Sequence, residues 1–235
     1  MALPLVFIHG LGCASSIDFA NVGRLVTTDR RIMLVDLPGA AGSLVSDEDD
    51  VSISSMAAFV ADRLSFDDVS QAVFFGHSMG GAVVLSLAAK RPEMVAGIVL
   101  AEANLDPGGG LWSKHIADMS ETDFVAFGHK ELIAQQRQQC STWADTVALT
   151  SPLAMHRQAT SLVEGTTWTW RQSLYNMQCP RFFIFGAQSV PDPDTEELPR
   201  HGISVLTLEH AGHNMAYENP NGLANVISDC LCTMP

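Results

Sequence analysis

Short runs of consecutive apolar residues recur along the chain, and more polar stretches separate them. These runs occupy residues 3–8, 31–35, 72–75, 97–101, 181–185 and 204–208. A run that is apolar throughout, instead of alternating with polar residues, is typical of a strand that helices cover on both faces. The six runs therefore predict a parallel sheet of six strands.

Helical patterns lie between several of these runs. Residues 54–64 place Met56, Val60 and Leu64 on one face, and residues 80–90 form an apolar helical segment directly after the third run. Strands that alternate with helices indicate an α/β fold whose sheet is doubly wound and mostly or wholly parallel.

The alternation stops at about residue 104 and resumes at about residue 177. The intervening segment is rich in amides, including a Gln-rich stretch at 135–139, and it holds all four tryptophans: Trp112, Trp143, Trp168 and Trp170. We predict a helical insertion at 104–176 in a core formed by 1–103 and 177–235. Trp112, Trp143 and Trp168 are expected as a group to line a cavity, although packing within the insertion explains any single one equally well.

Composition and charge limit the class of protein. At 235 residues, 47% hydrophobic and 17% charged, the chain matches a soluble globule with one core, and its apolar runs are too short to span a bilayer. The N-terminal residues have no basic head or cleavage site, so we interpret them as a strand.

A net charge of −13 disfavours nucleic acid and anionic membranes as partners. Five scattered cysteines without metal-ligand spacing predict reduced thiols in the cytoplasm and no metal site.

Residues 76–80 carry the clearest chemical motif, Gly-His-Ser-Met-Gly. A Gly-x-Ser-x-Gly motif between a strand and a helix predicts a nucleophile elbow, in which Ser78 sits on a strained turn with its hydroxyl exposed. Gly76 and Gly80 lack the side chains that would collide with the neighbouring strand and helix. Ser78 is therefore the candidate nucleophile.

Four separated motifs agree with this interpretation. His-Gly-Leu-Gly follows the first run at 9–12, Asp-Leu-Pro-Gly follows the second at 36–39, the serine motif follows the third, and Gly-His follows the last at 212–213. In order and spacing they resemble the α/β-hydrolase superfamily, in particular a carboxylesterase-like serine hydrolase with a helical cap. The resemblance implies a shortened fold that begins at the usual third strand, a cap over the catalytic pocket, and no cofactor.

The resemblance also assigns a base and an oxyanion hole. His213 follows the last strand as the superfamily's Gly-His does, and His210 is a weaker competitor because no glycine precedes it. The backbone N–H groups of Leu11 and Met79 are expected to bind the oxyanion. His9 and His77 are assigned to supporting or lining the substrate pocket.

The acid that should orient the base has several candidates in this sequence. Relatives place an aspartate after the fifth strand, but this chain has Ser189 there. Asp192 or Asp194 could replace it from the same loop, or Glu102 could do so from the end of the fourth strand. We favour Glu102, because some members of the haloalkane dehalogenase branch carry a glutamate at this corner; the simpler alternative is that Glu102 only pairs within the hinge of the insertion.

Together these features predict a serine hydrolase that cleaves a small to medium, uncharged, largely apolar carboxylic ester, lactone or thioester through an acyl-enzyme. A carbon–carbon bond hydrolase or a hydroxynitrile lyase-like enzyme would use the same groups. A ligand-binding module with little turnover belongs to a different class, and the serine at position 189 is its best support. The sequence does not predict an oligomeric state.

Overall fold

The computed structural model of the protein describes residues 2–235 and contains a six-stranded sheet flanked by helices. The strands are β1 (Leu5–Ile8), β2 (Ile32–Val35), β3 (Ala72–His77), β4 (Val95–Ala101), β5 (Arg181–Gly186) and β6 (Ser204–Leu208). The α-helices are α1 (Ser15–Asp18), α2 (Ala20–Leu25), α3 (Ile53–Phe66), α4 (Met79–Lys90), α5 (Leu111–Ala117), α6 (Glu121–Asp123), α7 (His129–Gln139), α8 (Ser141–Val147), α9 (Pro152–Glu164), α10 (Trp170–Asn176), α11 (Asp194–Arg200), α12 (Met215–Glu218) and α13 (Pro220–Leu231). A 3-10 turn (Pro92–Met94) precedes β4, and a π-helical turn (Phe124–Gly128) joins α6 to α7.

All neighbouring strands pair in parallel, in the order β2-β1-β3-β4-β5-β6. The predicted doubly wound parallel sheet is confirmed. The chain adds β2 on one side of β1 and then continues with β3 on the other side. Because the strand order changes direction between β1 and β3, a crevice opens at the carboxyl ends of these two strands. Ligands of α/β sheets bind in such a crevice.

Strands β1, β3 and β4 are covered on both faces, as their continuous apolar runs require, whereas Leu208 is the one buried residue of the edge strand β6. Successive residues of β1 point to opposite faces: Val6 and Ile8 pack into one hydrophobic cluster, and Leu5 and Phe7 into the other. Every residue of β1, β3 and β4 is buried. Burial on both sides explains why these strands show no alternation of apolar and polar residues.

The turn after β2 contains a residue in an unfavourable backbone conformation. Ala41 has a φ of +50°, and this left-handed region is unfavourable for a residue with a Cβ.

Helices α5–α10 and the π-helical turn form one insertion between β4 and β5. Arg171 on α10 joins this insertion to the core, because its guanidinium donates to Asp106 at 2.8 Å and to Asp194 at 2.6 Å. None of the helices formed by residues 2–235 is both long enough and apolar enough to cross a membrane.

Candidate active site

The turn between β3 and α4 holds Ser78 in a strained conformation. Its φ of +53° and ψ of −122° lie outside the regions that a residue with a side chain normally adopts. The Ser78 carbonyl accepts hydrogen bonds from the N–H groups of Gly81 at 3.0 Å and Asn104 at 3.3 Å, which keep the turn tight. Strain of this kind is a feature of functional sites, and the geometry is that of a nucleophile elbow.

His213 lies beside Ser78 on the loop that follows β6. Its Nε2 is 3.2 Å from the Ser78 Oγ, within hydrogen-bond distance. The other ring nitrogen, Nδ1, is 3.6 Å from the Glu102 Oε2. The structure thus brings together the three residues that the sequence suggests as nucleophile, base and acid.

Glu102 occupies the turn directly after β4, with a φ of +47°. Its Oε1 accepts a hydrogen bond of 2.8 Å from the Gly186 N–H at the end of β5. Burial acts to raise the pKa of Glu102, but favourable interactions with His213, the Gly186 N–H and Ser189 outweigh it and leave that pKa below its ordinary value. Glu102 is therefore ionised at neutral pH.

The two competitors for these roles lie elsewhere. Asp192 accepts hydrogen bonds from Asp194 and Thr195 at the start of α11, and among residues 2–235 it makes none with His213. His210 is exposed, with a φ of +58°, and within the same part of the chain it makes no hydrogen bond to Ser78.

Two residues are expected to bind an oxyanion through their backbone N–H groups: Leu11, which lines the same cavity as Ser78, and Met79, which follows Ser78 in the chain. Neither the N–H of Leu11 after β1 nor that of Met79 at the start of α4 has an acceptor within residues 2–235. Trp143 donates a hydrogen bond of 3.1 Å from its indole Nε1 to the Leu11 carbonyl. The insertion thereby fixes the loop that carries the first of these N–H groups.

His9 is buried behind the site instead of lining it. Its Nδ1 lies 2.8 Å from the Gly10 carbonyl, and its Nε2 accepts from the Leu37 N–H at 2.9 Å. These two partners fix a neutral ring with the proton on Nδ1. Burial lowers the pKa of His9, consistent with that state. The suggestion that His9 binds substrate is corrected here, because the residue joins the turns after β1 and β2.

His77 lines the cavity next to Ser78 and also supports the base. Its Nε2 donates a hydrogen bond of 2.8 Å to the His213 carbonyl, and the two imidazole centroids are 4.9 Å apart. Burial, followed by the proximity of His213, lowers the pKa of His77 to about 3. A neutral His77 therefore holds the backbone of the loop that carries His213.

The buried, neutral state of His77 predicts loss of stability in acid. The unfolded chain takes up a proton at His77 below about pH 6.5, whereas the folded protein does so only near pH 3. This contribution to stability is complete above pH 6.5 and decreases as the pH falls, by about 2 kcal/mol at pH 5. Urea unfolding at pH 7 and pH 5 would give the free energies of unfolding of the parent and of His77→Gln. The difference between the two proteins should be about 2 kcal/mol smaller at pH 5 than at pH 7. A constant difference would contradict this prediction.

A cavity of about 350 Å³ opens above Ser78. Its volume is at the lower end of the range for small-molecule sites. Its apolar side chains include Trp112 and Trp143, whose ring centroids are 5.8 Å apart, together with Leu11, Leu111 and Leu162. The side chains around this cavity include neither Lys nor Arg.

Trp168 does not belong to this cavity, which corrects its suggested role in substrate binding. It is 56% exposed and borders a separate depression of about 940 Å³ near the C-terminal end of α4. That depression is larger, but none of Ser78, Glu102 and His213 lines it. The smaller cavity is therefore the relevant one for chemistry at Ser78.

The lining residues that were not identified from the sequence include Cys13, Asn104, Gln136 and Cys140. Asn104 had a detectable signal, because it follows Glu102 by two residues at the end of a strand. Gln136 belongs to the Gln-rich stretch of the insertion, but the sequence does not indicate which of these glutamines faces inward. Burial raises the pKa of the Cys13 thiol well above its ordinary value, so this thiol is neutral and a poor nucleophile.

Comparison with known proteins gives consistent matches along nearly the whole chain. The model of the alpha/beta hydrolase family matches residues 5–226. A putative non-heme haloperoxidase of Mycobacterium phage D29 is 34% identical over 224 residues, which cover 94% of this chain and 75% of that protein. An esterase of Mycobacterium tuberculosis is 24% identical over 268 residues, covering 97% of this chain and 83% of the esterase. The solved structure of a thermophilic esterase from Thermogutta terrifontis matches with a TM-score of 0.78 at 19% identity, covering 99% of this chain and 90% of that one.

Proposed function

The chain belongs to the alpha/beta hydrolase family, and from this premise we propose that it is a serine hydrolase for small to medium, uncharged, largely apolar carboxylic esters, lactones or thioesters. The main support for the proposal is the distance of 3.2 Å between the Ser78 Oγ and the His213 Nε2. Both residues line a cavity that also has many apolar side chains. A hydroxyl needs such a base, because it is a weak nucleophile at neutral pH.

In the proposed reaction the Ser78 Oγ attacks the carbonyl carbon of the ester while the His213 Nε2 accepts the hydroxyl proton. The carbonyl oxygen becomes an oxyanion and accepts hydrogen bonds from the N–H groups of Leu11 and Met79, each worth about 3 kcal/mol in such sites. The tetrahedral intermediate then breaks its bond to the alcohol oxygen, which takes the proton from His213. Water, deprotonated by His213, then attacks the acyl-enzyme. The second tetrahedral intermediate breaks its bond to the Ser78 Oγ, which takes the proton back from His213, and the acid is released.

Glu102 is the proposed acid of this site. Its carboxylate accepts from the Nδ1–H of His213 and stabilises the imidazolium that forms in each half-reaction. The low pKa of Glu102 supports this role, because the group must remain charged while His213 gains and loses its proton.

Helices α5–α10 are proposed to act as a cap that selects the substrate. Trp112 and Trp143 from this insertion favour an apolar acyl or alcohol group. Arg157 and Arg171 of the same insertion are engaged by Glu121 and by Asp106 with Asp194. A carboxylate-bearing substrate, as a carbon–carbon hydrolase would require, therefore has less support than an uncharged ester.

Covalent trapping tests the proposed nucleophile. A fluorophosphonate should lose fluoride and phosphonylate the Ser78 Oγ, which mass spectrometry of the Ser78 peptide detects. Ser78→Ala should abolish labelling and lower kcat for p-nitrophenyl butyrate by at least about 10³-fold. Ser70→Ala is a matched control, because Ser70 is exposed just before β3 begins; it should leave kcat unchanged.

Two results would contradict the proposal. Activity of Ser78→Ala within tenfold of the parent would exclude Ser78 as the nucleophile. A single burst of p-nitrophenol without further turnover, together with thermal stabilisation by ligand, would instead favour a binding module.

A further inference from the structure

Gln136 carries an unsatisfied hydrogen-bond donor beside the cavity above Ser78. The residue lies near the end of α7, is 2% exposed and lines the cavity. Its side-chain Nε2 is buried without a hydrogen-bond partner within residues 2–235. A buried donor without an acceptor costs about 1–3 kcal/mol, and few such groups exist in folded proteins. A ligand that supplies the acceptor would remove this cost once the amide turns its nitrogen, which protein atoms enclose, towards the cavity.

Two other polar side chains around the cavity already have partners. The Ser113 hydroxyl donates to the Gly110 carbonyl at 3.0 Å and accepts from the Gly110 N–H at 2.8 Å. The amide nitrogen of Asn214 is 3.5 Å from the Cys140 Sγ. Gln136 thus differs from them in carrying a buried donor that the surrounding protein leaves unused.

The surroundings of Gln136 indicate what kind of acceptor it receives. With neither Lys nor Arg around the cavity, a carboxylate would lose its hydration without gaining a counter-ion. An uncharged oxygen, such as that of a ketone, an amide or a second ester, loses less hydration energy on entry and still accepts a hydrogen bond from an amide N–H.

We propose that Gln136 is a specificity-determining residue that donates a hydrogen bond to an uncharged carbonyl oxygen of the substrate, at a distance from the bond that is cleaved. The inference rests on the proposed function and narrows it: preferred substrates are esters or lactones that carry a second carbonyl group. A substrate without that group leaves the Gln136 donor unpaired, which disfavours its transition state as well as its binding.

Matched esters test this role. The p-nitrophenyl esters of 4-, 5- and 6-oxoheptanoic acid would be compared with analogues in which a methylene group (=CH₂) replaces the second carbonyl oxygen. The measured quantity is the ratio of kcat/KM for the oxo ester to kcat/KM for its methylene analogue, in the parent and in Gln136→Met. Intrinsic differences in reactivity between the esters cancel when the ratios of the two proteins are compared.

The parent should prefer at least one oxo ester by about 10- to 100-fold, as expected for pairing a buried donor. Gln136→Met should lose that preference, so that its ratio is lower than that of the parent by about the same factor. Gln135→Met is the matched control, because Gln135 is exposed on the same helix; it should retain the preference. Methionine removes the unpaired amide, so Gln136→Met is expected to fold with unchanged or higher thermal stability.

The possible failures are distinguishable. Equal ratios in the parent and Gln136→Met, with hydrolysis that still depends on Ser78, would overturn the role of Gln136 alone; this result is also expected if a bound water satisfies the amide. Hydrolysis of both esters that persists in Ser78→Ala, or no hydrolysis of either, would overturn the proposed function and this inference with it.

Discussion

Replacing Glu102 with glutamine is expected to lower kcat for p-nitrophenyl butyrate by about 10³- to 10⁴-fold, with a much smaller change in KM. The amide keeps the shape of the side chain but removes the charge that stabilises the His213 imidazolium. It also presents an N–H that favours the wrong tautomer of the imidazole, in which Nε2 carries the proton and cannot accept one from Ser78. Steady-state kinetics and circular dichroism of both proteins would separate this loss from unfolding.

Asp192→Asn is the matched control for the identity of the acid. It also changes a carboxylate to an amide in the loop after β5, but the hydrogen bonds of Asp192 are to Asp194 and Thr195. We expect kcat within about twofold of the parent, because Asp192 is half-buried away from the site and asparagine keeps an oxygen that can accept from the Asp194 N–H. If Asp192→Asn lost as much activity as Glu102→Gln, the assignment of the acid would be wrong.

A second carboxylate variant uses Ser189, which stands at the usual position of the superfamily's acid. In the Glu102→Gln background, Ser189→Asp places an aspartate at that position. Part of the lost kcat should return. In the parent background the same substitution places two carboxylates side by side, which raises the pKa of one of them, and the limb of the pH–rate profile on the acid side should move to higher pH.

The core of the fold could be predicted from the sequence because its signals are local and redundant. Each strand reads as an apolar run, and a strand buried on both faces needs no knowledge of its neighbours to be recognised. Ser78 could also be identified from the sequence, because the glycines at 76 and 80 and the helix that follows are its neighbours in the chain. The predicted and observed strands differ at their ends; for example, β3 extends to His77 instead of residue 75, and β1 begins at Leu5 instead of residue 3.

The partners of Ser78 depend on contacts that no local pattern encodes. Glu102 reaches His213 because β4 lies between β3 and β5, and because residue 102 adopts a φ of +47°. Trp143 and Trp168 are both tryptophans of the insertion and could not be told apart from the sequence. Trp143 donates a hydrogen bond to the Leu11 carbonyl, whereas Trp168 borders the depression near the end of α4. Their difference arises from how the helices of the insertion pack, which single residues do not reveal.

Gly80→Ala is expected to lower the free energy of unfolding by about 3 kcal/mol or more. A Cβ at position 80 would overlap the carbonyl group of Ile8 and approach the His9 carbonyl oxygen to 2.6 Å. These are backbone atoms at the end of a fully buried strand, so no side-chain rotation relieves the overlap. In an isolated helix the same substitution would stabilise by about 1 kcal/mol, so the sign of the effect identifies the close approach of α4 to β1 as its cause.

The substitution should also reduce activity in the protein that remains folded. Moving the start of α4 away from β1 separates the Met79 N–H from the Leu11 N–H, the two groups proposed to bind the oxyanion, and loss of one such donor costs about 10²-fold or more in kcat. Gly110→Ala is the control. A Cβ at position 110 meets no atom within 4 Å, and the φ of −98° at Gly110 suits alanine. The free energy of unfolding of this variant should stay within about 1 kcal/mol of that of the parent. Urea unfolding and p-nitrophenyl butyrate hydrolysis measure both effects. A Gly80→Ala protein as stable and as active as Gly110→Ala would show that contact between α4 and β1 does not set the geometry of the proposed oxyanion hole.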